Sequence, residues 1–246
     1  MCRHLGYLGP SRSVGELLTG GTNSLRVQSW APKDMRGGGT INADGFGAAW
    51  WNGDVVRSYR NAMPIWSDPI VEDVLGGVDA TAVVAAVRSA TVGMPVERSA
   101  CAPFTDDTWA FSHNGVVFGW PDTLVDVVAE VPPADVLTMP APSDSAALWI
   151  ALRHLLRSHE PEKALRMLTA RVLSASPRAR LNLLLSDGNT LFATAVHHSL
   201  SVLRSDDSVV IASEPLDDDA HWVAIEDHKF VVAKPGSVDI SDLEHQ

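Results

Sequence analysis

The residues with the most chemical reach stand at the start of the chain, Met1-Cys2-Arg3. A cysteine at position 2 is small enough for methionine aminopeptidase to remove Met1, and Cys2 would then carry a free α-amine beside its own thiol. One residue would hold both a sulfur nucleophile and a base able to take its proton. An α-amine titrates near ~7.7–8.0, so at neutral pH much of it can be brought into its neutral, proton-accepting form. No histidine partner is needed for such a thiolate to attack a carbonyl. Taken alone, Met-Cys reads as an incidental thiol near a terminus, and the residues that follow reverse that reading.

Four further segments carry groups suited to acyl transfer: Asn42-Ala43-Asp44-Gly45-Phe46-Gly47, Arg88-Ser89-Ala90-Thr91-Val92-Gly93, His113-Asn114-Gly115 and Ser143-Asp144-Ser145. Each has a plain reading by itself. Arg88 after an apolar run suits a surface or ion-pair arginine, Asn114-Gly115 suits a turn, and Asp144 suits a helix N-terminus favoured by the macrodipole. In this order, behind Met1-Cys2, they resemble the class II glutamine amidotransferases, which are N-terminal-nucleophile amidohydrolases, and the resemblance covers essentially the whole chain. It implies an α+β fold, a four-layer αββα sandwich of antiparallel sheets, and cleavage of a γ-glutamyl amide. By the same resemblance Cys2 is the nucleophile and, through its α-amine, the base, while Asn114 (side chain) and Gly115 (backbone N–H) form the oxyanion hole. Arg88 offers a bidentate fork for the glutamyl α-carboxylate and Asp144 a carboxylate for the α-ammonium, while Ser89, Thr91 and Val92 match positions lining the glutamyl pocket.

Three positions depart from the better-known relatives. Ser89 stands where an aromatic residue is common, Val92 where His or Gln is common, and Ala146 where many carry an acid. The chain also shows no second, synthase domain that would use released ammonia. The three departures sit near the pocket and point away from free glutamine as the substrate, and the lack of a synthase domain favours a stand-alone hydrolase whose useful product is the amine. The layout CRHLGYLGP, NADGFGAAWW, VRSAT, HNG and SDS is similar to the stand-alone amidohydrolase branch of ergothioneine biosynthesis, whose γ-glutamyl substrate carries a trimethylammonium group. Aromatic faces bind such a cation, and Trp30, Trp109 and Trp120 fall in or near loops expected around the site, although any one of them singly reads more readily as packing. Three rivals stay open: a glutaminase subunit serving a separate synthase, a broader γ-glutamyl dipeptide hydrolase, and a non-enzymatic binding module.

The elements that must position these groups follow from periodicity and turn chemistry. Cys2–Leu8 reads as a strand ending at Gly9-Pro10, and Ser13–Leu18 as a turn or two of helix; residues 20–39 read as a loop, including the run Gly37-Gly38-Gly39. Gly45–Trp51 and Val55–Arg60 form a hairpin about Asn52-Gly53-Asp54. Pro69–Leu75 reads as a helix, Thr81–Ala90 as a buried strand, Thr108–His113 as another strand, and Asp122–Val131 as a helix ended by Pro132-Pro133. Ser143 caps a helix with apolar residues from Ala147 to Leu156, and Pro161 opens a second with Ala164, Leu165, Leu168 and Val172 on one face. Strands return at Leu181–Leu185, Leu191–Val196, Val209–Ala212, Trp222–Ile225 and Phe230–Val232. Strands segregated from helices favour an α+β layered arrangement in one domain, residues 2–246.

Composition bounds the remaining choices. The chain has 246 residues, 46% hydrophobic and 20% charged, which suits a globular protein with a sizeable core. A net charge of −11 argues against nucleic acid or an anionic membrane as partner. Two cysteines provide neither a disulfide framework nor zinc spacing, so no metal or cofactor is expected, and Cys101 reads as an unreactive thiol. His154 with His159, and His197 with His198, show no metal geometry and read as structural or exposed. Absence of a signal peptide or an apolar span points to the cytoplasm. The expected partner is a small-molecule γ-glutamyl substrate, with a homodimer left open.

Overall fold

Strands in the middle of this chain lack a polar face. Every residue from Ala82 to Val87 is buried, as is every residue from Leu181 to Ser186, so each run must be covered on both sides. The computed structural model describes residues 2–36, 38, 41–53 and 55–243. Met1 and its removal, the outer glycines of Gly37-Gly38-Gly39, and Asp54 of the first hairpin turn lie outside the described residues.

The first half of the chain forms β1 (Arg3–Ser13), α1 (Val14–Thr19), α2 (Leu25–Gln28), β2 (Phe46–Asn52), β3 (Val55–Asn61), α3 (Ile70–Asp73), β4 (Asp79–Val87), β5 (Phe104–Thr105) and β6 (Ala110–Val116). The second half forms α4 (Pro133–Leu137), α5 (Asp144–Leu156), α6 (Pro161–Ala175), β7 (Arg180–Ser186), β8 (Leu191–Ala195), β9 (Ser201–Arg204), β10 (Val209–Ala212), β11 (Val223–Ala224), β12 (Lys229–Lys234) and β13 (Ser237–Asp242). A first sheet has the order β11-β9-β10-β1-β4-β2-β3, and a second has β13-β12-β8-β7-β6-β5. Adjacent strands pair antiparallel throughout both.

Three apolar layers hold these elements together. Leu8, Ala49 and Val84 of the first sheet meet Leu184, Leu191 and Ala193 of the second. Leu5, Tyr7, Val83 and Ala85 face the other way, against Leu17 and Leu18 of α1 and Leu25 of α2. Phe111, Leu183 and Leu185 carry α5 and α6 through Leu148, Leu152 and Leu165. The resulting order, helices, sheet, sheet, helices, is the αββα sandwich that the sequence resemblance implied.

Several element boundaries differ from the sequence expectation, each for a local reason. β1 does not stop at Gly9-Pro10; its pairing with β4 shifts register between Leu8 and Arg12, and that irregularity accommodates a proline within the strand. The loop expected over residues 20–39 contains α2, capped by Ser24 Oγ accepting from Val27 N at 3.3 Å. Asp122–Val131 is a 3-10 turn at Asp122–Leu124 followed by further turns, because Val125, Val127 and Val128 are β-branched and resist helix. Pro132-Pro133 opens α4 instead of ending a helix, a position where the missing N–H costs nothing. The buried strand ends at Val87, which releases Arg88–Ala90 into a loop. β5, β9 and β13 are short or half-exposed and went unrecognised.

Candidate active site

Register within the first sheet brings the start of β1 against the ends of its neighbours. Arg3 lies opposite Val87 of β4, and Val87 lies opposite Phe46 of β2, so Cys2, Arg88 and Gly45 leave the sheet side by side. On the other flank Leu5 lies opposite Ala212 of β10, which sets Ser213 beside His4 and Glu214 beside Arg3. Cys2 is half-buried, with its Sγ 3.9 Å from the carbonyl oxygen of Ser89.

Arg3 fixes the backbone of Cys2. Its side chain is 1% exposed and pairs with Glu214, itself 3% exposed, at 3.0 Å from Nε to Oε1. Arg3 Nη1 donates to the Cys2 carbonyl oxygen at 3.0 Å, and Nη2 donates to the carbonyl of Asp34. The Glu214 carboxylate also accepts from Asp34 N at 3.1 Å, Lys33 N at 2.8 Å and Asn23 Nδ2 at 3.3 Å. One buried ion pair therefore clamps the Cys2 carbonyl to the loop around Asp34.

Arg88 is braced from a second loop. Arg88 is buried; its N–H donates to Gly45 O at 2.8 Å, its carbonyl accepts from Asp44 N at 3.0 Å, and its Nη1 donates to Pro95 O at 2.8 Å. Asp44 also uses Oδ2 to accept from Ala90 N at 2.7 Å. Gly45 has φ +124°, and a Cβ there would sit 2.3 Å from Cys101 Sγ, so only glycine fits. Asn42–Gly47 thus shapes the Arg88 loop, with Asn42 itself buried against Ser29 and Gln28. Cys101 is fully buried, and burial pushes its thiol up to about 11, which suits an inert packing thiol.

β6 supplies the opposite wall. Ser112 faces the first sheet, where its Oγ lies 3.3 Å from His4 Nδ1. Asn114, two residues on and so on the same face, donates from Nδ2 to Ser213 Oγ at 3.2 Å. Ser213 Oγ also accepts from His4 N at 2.9 Å, so one hydroxyl ties Asn114 to the strand that begins beside Cys2. Nδ2 keeps a second N–H for another acceptor. At Gly115 a Cβ would lie 1.8 Å from Arg180 O, which excludes any side chain there. Burial, then the nearby His113 and Arg3 charges, lower His4 to about 3 and keep its imidazole neutral.

Asp144 joins α5 to the same strand. Its Oδ2 accepts from Val117 N at 2.9 Å and its Oδ1 from Ser145 N at 2.7 Å, while Ser143 Oγ caps the helix by accepting from Ala146 N. Ser145 Oγ lies 2.9 Å from His113 Nδ1, and His113 Nε2 donates to Arg180 O at 2.9 Å. Asp144 Oδ1 also accepts from Ser145 Oγ at 3.3 Å, so Oδ2 is the oxygen that keeps a lone pair beyond its one backbone donor.

Of the residues singled out by sequence, Cys2, Arg88 and Ser89 converge at one end of the first sheet, with Asn114 linked to them through Ser213. Gly115 and Asp144 continue that wall. Thr91 and Val92 stand on an exposed turn, Val92 being 101% exposed. Trp109 and Trp120 pack against the helix-side core, whereas Trp30 is exposed and meets Trp66 edge-on at 5.6 Å. Arg3, Glu214 and Ser213 were missed. The available signal was a charged residue beginning an apolar strand in Arg3–Leu8 and an acid directly after the apolar run Val209–Ala212.

Among the described residues no group of three His, Cys, Asp or Glu side chains is arranged to hold a metal ion, and no helix is long and apolar enough to cross a membrane. The profile of the family described as "Glutamine amidotransferases class-II" matches residues 22–207. A protein of Mycobacterium tuberculosis (strain CDC 1551 / Oshkosh) named gamma-glutamyl-hercynylcysteine sulfoxide hydrolase is 38% identical over 246 residues, covering 99% of this chain and 97% of that protein. A protein of the same name from Mycolicibacterium smegmatis is 38% identical over 244 residues, covering 99% and 100%. Among solved structures, a glutamine aminotransferase class-II domain protein from Silicibacter pomeroyi superposes with TM-score 0.70 at 22% identity, covering 98% of this chain and 99% of that one. The glutamine phosphoribosylpyrophosphate amidotransferase of B. subtilis gives 0.66 at 14% identity, covering 99% of this chain and 50% of that one. These two likenesses bear on the fold.

Proposed function

Because the chain belongs to the class II glutamine amidotransferases, we propose that it is a Cys2-dependent amidohydrolase that cleaves γ-glutamyl-hercynylcysteine S-oxide into glutamate and hercynylcysteine S-oxide. The family profile begins at residue 22, so the role of Cys2 rests on the geometry around it. The observation that carries the reading is the convergence of Cys2, Arg88 and the Ser213-held amide of Asn114 where β1, β4 and β6 end or begin.

In this reading Met1 is removed and residues 2–246 act as a single domain. Arg88 grips the glutamyl α-carboxylate through N–H groups beyond the one given to Pro95, and a lone pair of Asp144 meets the α-ammonium. Ser89 lines the pocket floor beside the sulfur, and Thr91 and Val92 reach the substrate from their turn. Cys2 Sγ attacks the γ-carbonyl carbon while its α-amine, through a water, accepts the thiol proton. The oxyanion accepts hydrogen bonds from the second N–H of Asn114 Nδ2 and from Gly115 N–H. Collapse expels the amine, which leaves with the proton held by the α-amine. Water then hydrolyses the γ-glutamyl thioester to glutamate and restores the thiol. A reducing cytoplasm keeps Cys2 in the thiol form that this cycle requires.

The test is glutamate release from protein whose mass confirms loss of Met1, given γ-glutamyl-hercynylcysteine S-oxide and glutamine at equal concentration. The larger substrate should be strongly preferred, and Cys2→Ala should release nothing. Preference for glutamine, or full activity in Cys2→Ala, would overturn the assignment.

A further inference from the structure

The layer between the two sheets changes character on approach to Cys2. The face of β1 turned toward the second sheet carries Leu8, Gly6 and His4 in that order, and Cys2 comes next in the period of the strand. The facing side of β6 carries Ala110, Ser112 and Asn114. At the apolar end the sheets meet through Leu8, Ala110, Leu184 and Leu191, and a Cβ at Gly6 would lie 2.8 Å from Leu191 Cδ2. Toward Cys2 they meet through hydrogen bonds, His4 Nδ1 with Ser112 Oγ at 3.3 Å and Asn114 Nδ2 with Ser213 Oγ at 3.2 Å. Ser213 Oγ also accepts from His4 N at 2.9 Å, so these bonds close a ring through His4, Ser112, Asn114 and Ser213. All four residues are buried.

Stability alone does not account for a polar ring in this layer. His4 Nε2 and Asn114 Oδ1 are buried and have no hydrogen-bond partner among the described residues, which weakens a fold. What the ring supplies is direction. Apolar packing is non-directional and does not by itself fix one sheet's position over another, whereas hydrogen bonds hold both distance and angle. In the proposed site the nucleophile stands on one sheet and the oxyanion donors on the other. A misplacement of about 1 Å between such groups can cost ~10²-fold in rate.

We propose that His4 is a positioning residue for the reaction: through Ser112 and the hydroxyl of Ser213 it pins β6 to β1 and sets the distance between Asn114 and Cys2. The inference rests on the hydrolase reading above and adds to it a residue that touches no reacting atom and acts through Asn114. Burial keeps the His4 ring neutral, so its bond with Ser112 forms without placing a charge between the sheets.

A double-mutant cycle on glutamate release from γ-glutamyl-hercynylcysteine S-oxide, with Met1-free protein, provides the test. His4→Leu should lower kcat at least tenfold with KM within threefold. His4→Asn, whose amide reaches the position of Nδ1, should recover most of that loss. In an Asn114→Ala protein the further change His4→Leu should cost less than twofold, because the group it positions is gone. Ser112→Ala removes only a hydroxyl and should behave as His4→Leu does, standing in for it should that variant not fold. Full additivity with Asn114→Ala, a loss confined to KM, or kcat within twofold of wild type in the single variants would overturn the proposal. Should wild type release no glutamate, the hydrolase reading fails by itself and nuclear magnetic resonance decides the ring. The side-chain N–H protons of Asn114 should then exchange with solvent at least tenfold faster in Ser112→Ala than in wild type, and equal exchange overturns the proposal.

Discussion

Glu214→Gln is the most informative single change in the site, because it keeps shape and removes charge. Four donors point at the Glu214 carboxylate: Arg3 Nε and Asp34 N at Oε1, Lys33 N and Asn23 Nδ2 at Oε2. An amide there turns one oxygen into a donor, so one pair of these bonds becomes donor against donor. The Arg3 charge, 1% exposed, is left without its counter-charge. Breaking a buried pair by neutralising one partner costs about 3–5 kcal/mol. At roughly 2–4 °C per kcal/mol for a chain of this size, the melting temperature should fall by roughly 10 °C. Because the same arginine holds the Cys2 carbonyl at 3.0 Å, glutamate release should also fall under conditions where the variant is fully folded. The double variant Arg3→Met/Glu214→Leu separates the two effects. Well-packed apolar residues often replace a buried pair at little cost, so stability should return while activity does not. Circular-dichroism melts and glutamate-release rates at a temperature well below both transitions provide the readout. A Glu214→Gln protein melting within 2 °C of wild type, or a double variant with wild-type turnover, would refute the clamp.

Two further outcomes follow from the same structure. Asn114→Ala should lower kcat by ~10²–10³ with little change in KM, since the amide is required where negative charge develops, and kcat within threefold of wild type would remove it from the oxyanion hole. His4 and His198 are both held near 3 against an ordinary 6.5, mainly by burial, so both stay neutral in the fold. As pH falls below 6.5 the unfolded chain takes up these protons first, and stability is lost progressively down to about 3. At pH 5 the loss should be about 2 kcal/mol per histidine relative to neutral pH, and His4→Gln should shrink the urea-measured drop by that amount. An unchanged drop would show that His4 does not drive acid lability.

What could be read from the sequence was local or ordered along the chain. The hairpin of β2 and β3, the Ser143-capped helix α5 and the proline-led helix α6 each carry their own punctuation, and all three form as expected. The motif order reached the αββα layers through resemblance, because no periodicity reveals which of two apolar faces meets a sheet and which a helix. Spacing could not reveal Arg3 with Glu214, which are 211 positions apart, nor Asn114 with Ser213, 99 apart. Asp122–Val131 misled because Leu124, Val127 and Val131 are buried at helical spacing while the chain between them turns.

The proposed role of Cys2 as nucleophile needs its backbone held in one place, and ends of chains fray unless tied down. Cys2 directly precedes β1, the fourth of seven strands, so it sits beside the middle of a sheet and not at its edge. Pairing on both flanks sets its direction: the period of a strand sends Leu5 and Tyr7 to the helices and Leu8 to the second sheet. Arg3 follows the helix-side set and His4 the set facing β6, which gives Cys2 the His4 side. A slip of one residue would turn Cys2 toward the helices and place a guanidinium between the sheets, away from its Glu214 partner. The Arg3–Glu214 pair thus opposes the slip at the same residue that holds the Cys2 carbonyl. Strand register and the position of Cys2 are held by one interaction, which is why, on the proposed role of Cys2, charge removal at Glu214 should reach catalysis and not stability alone.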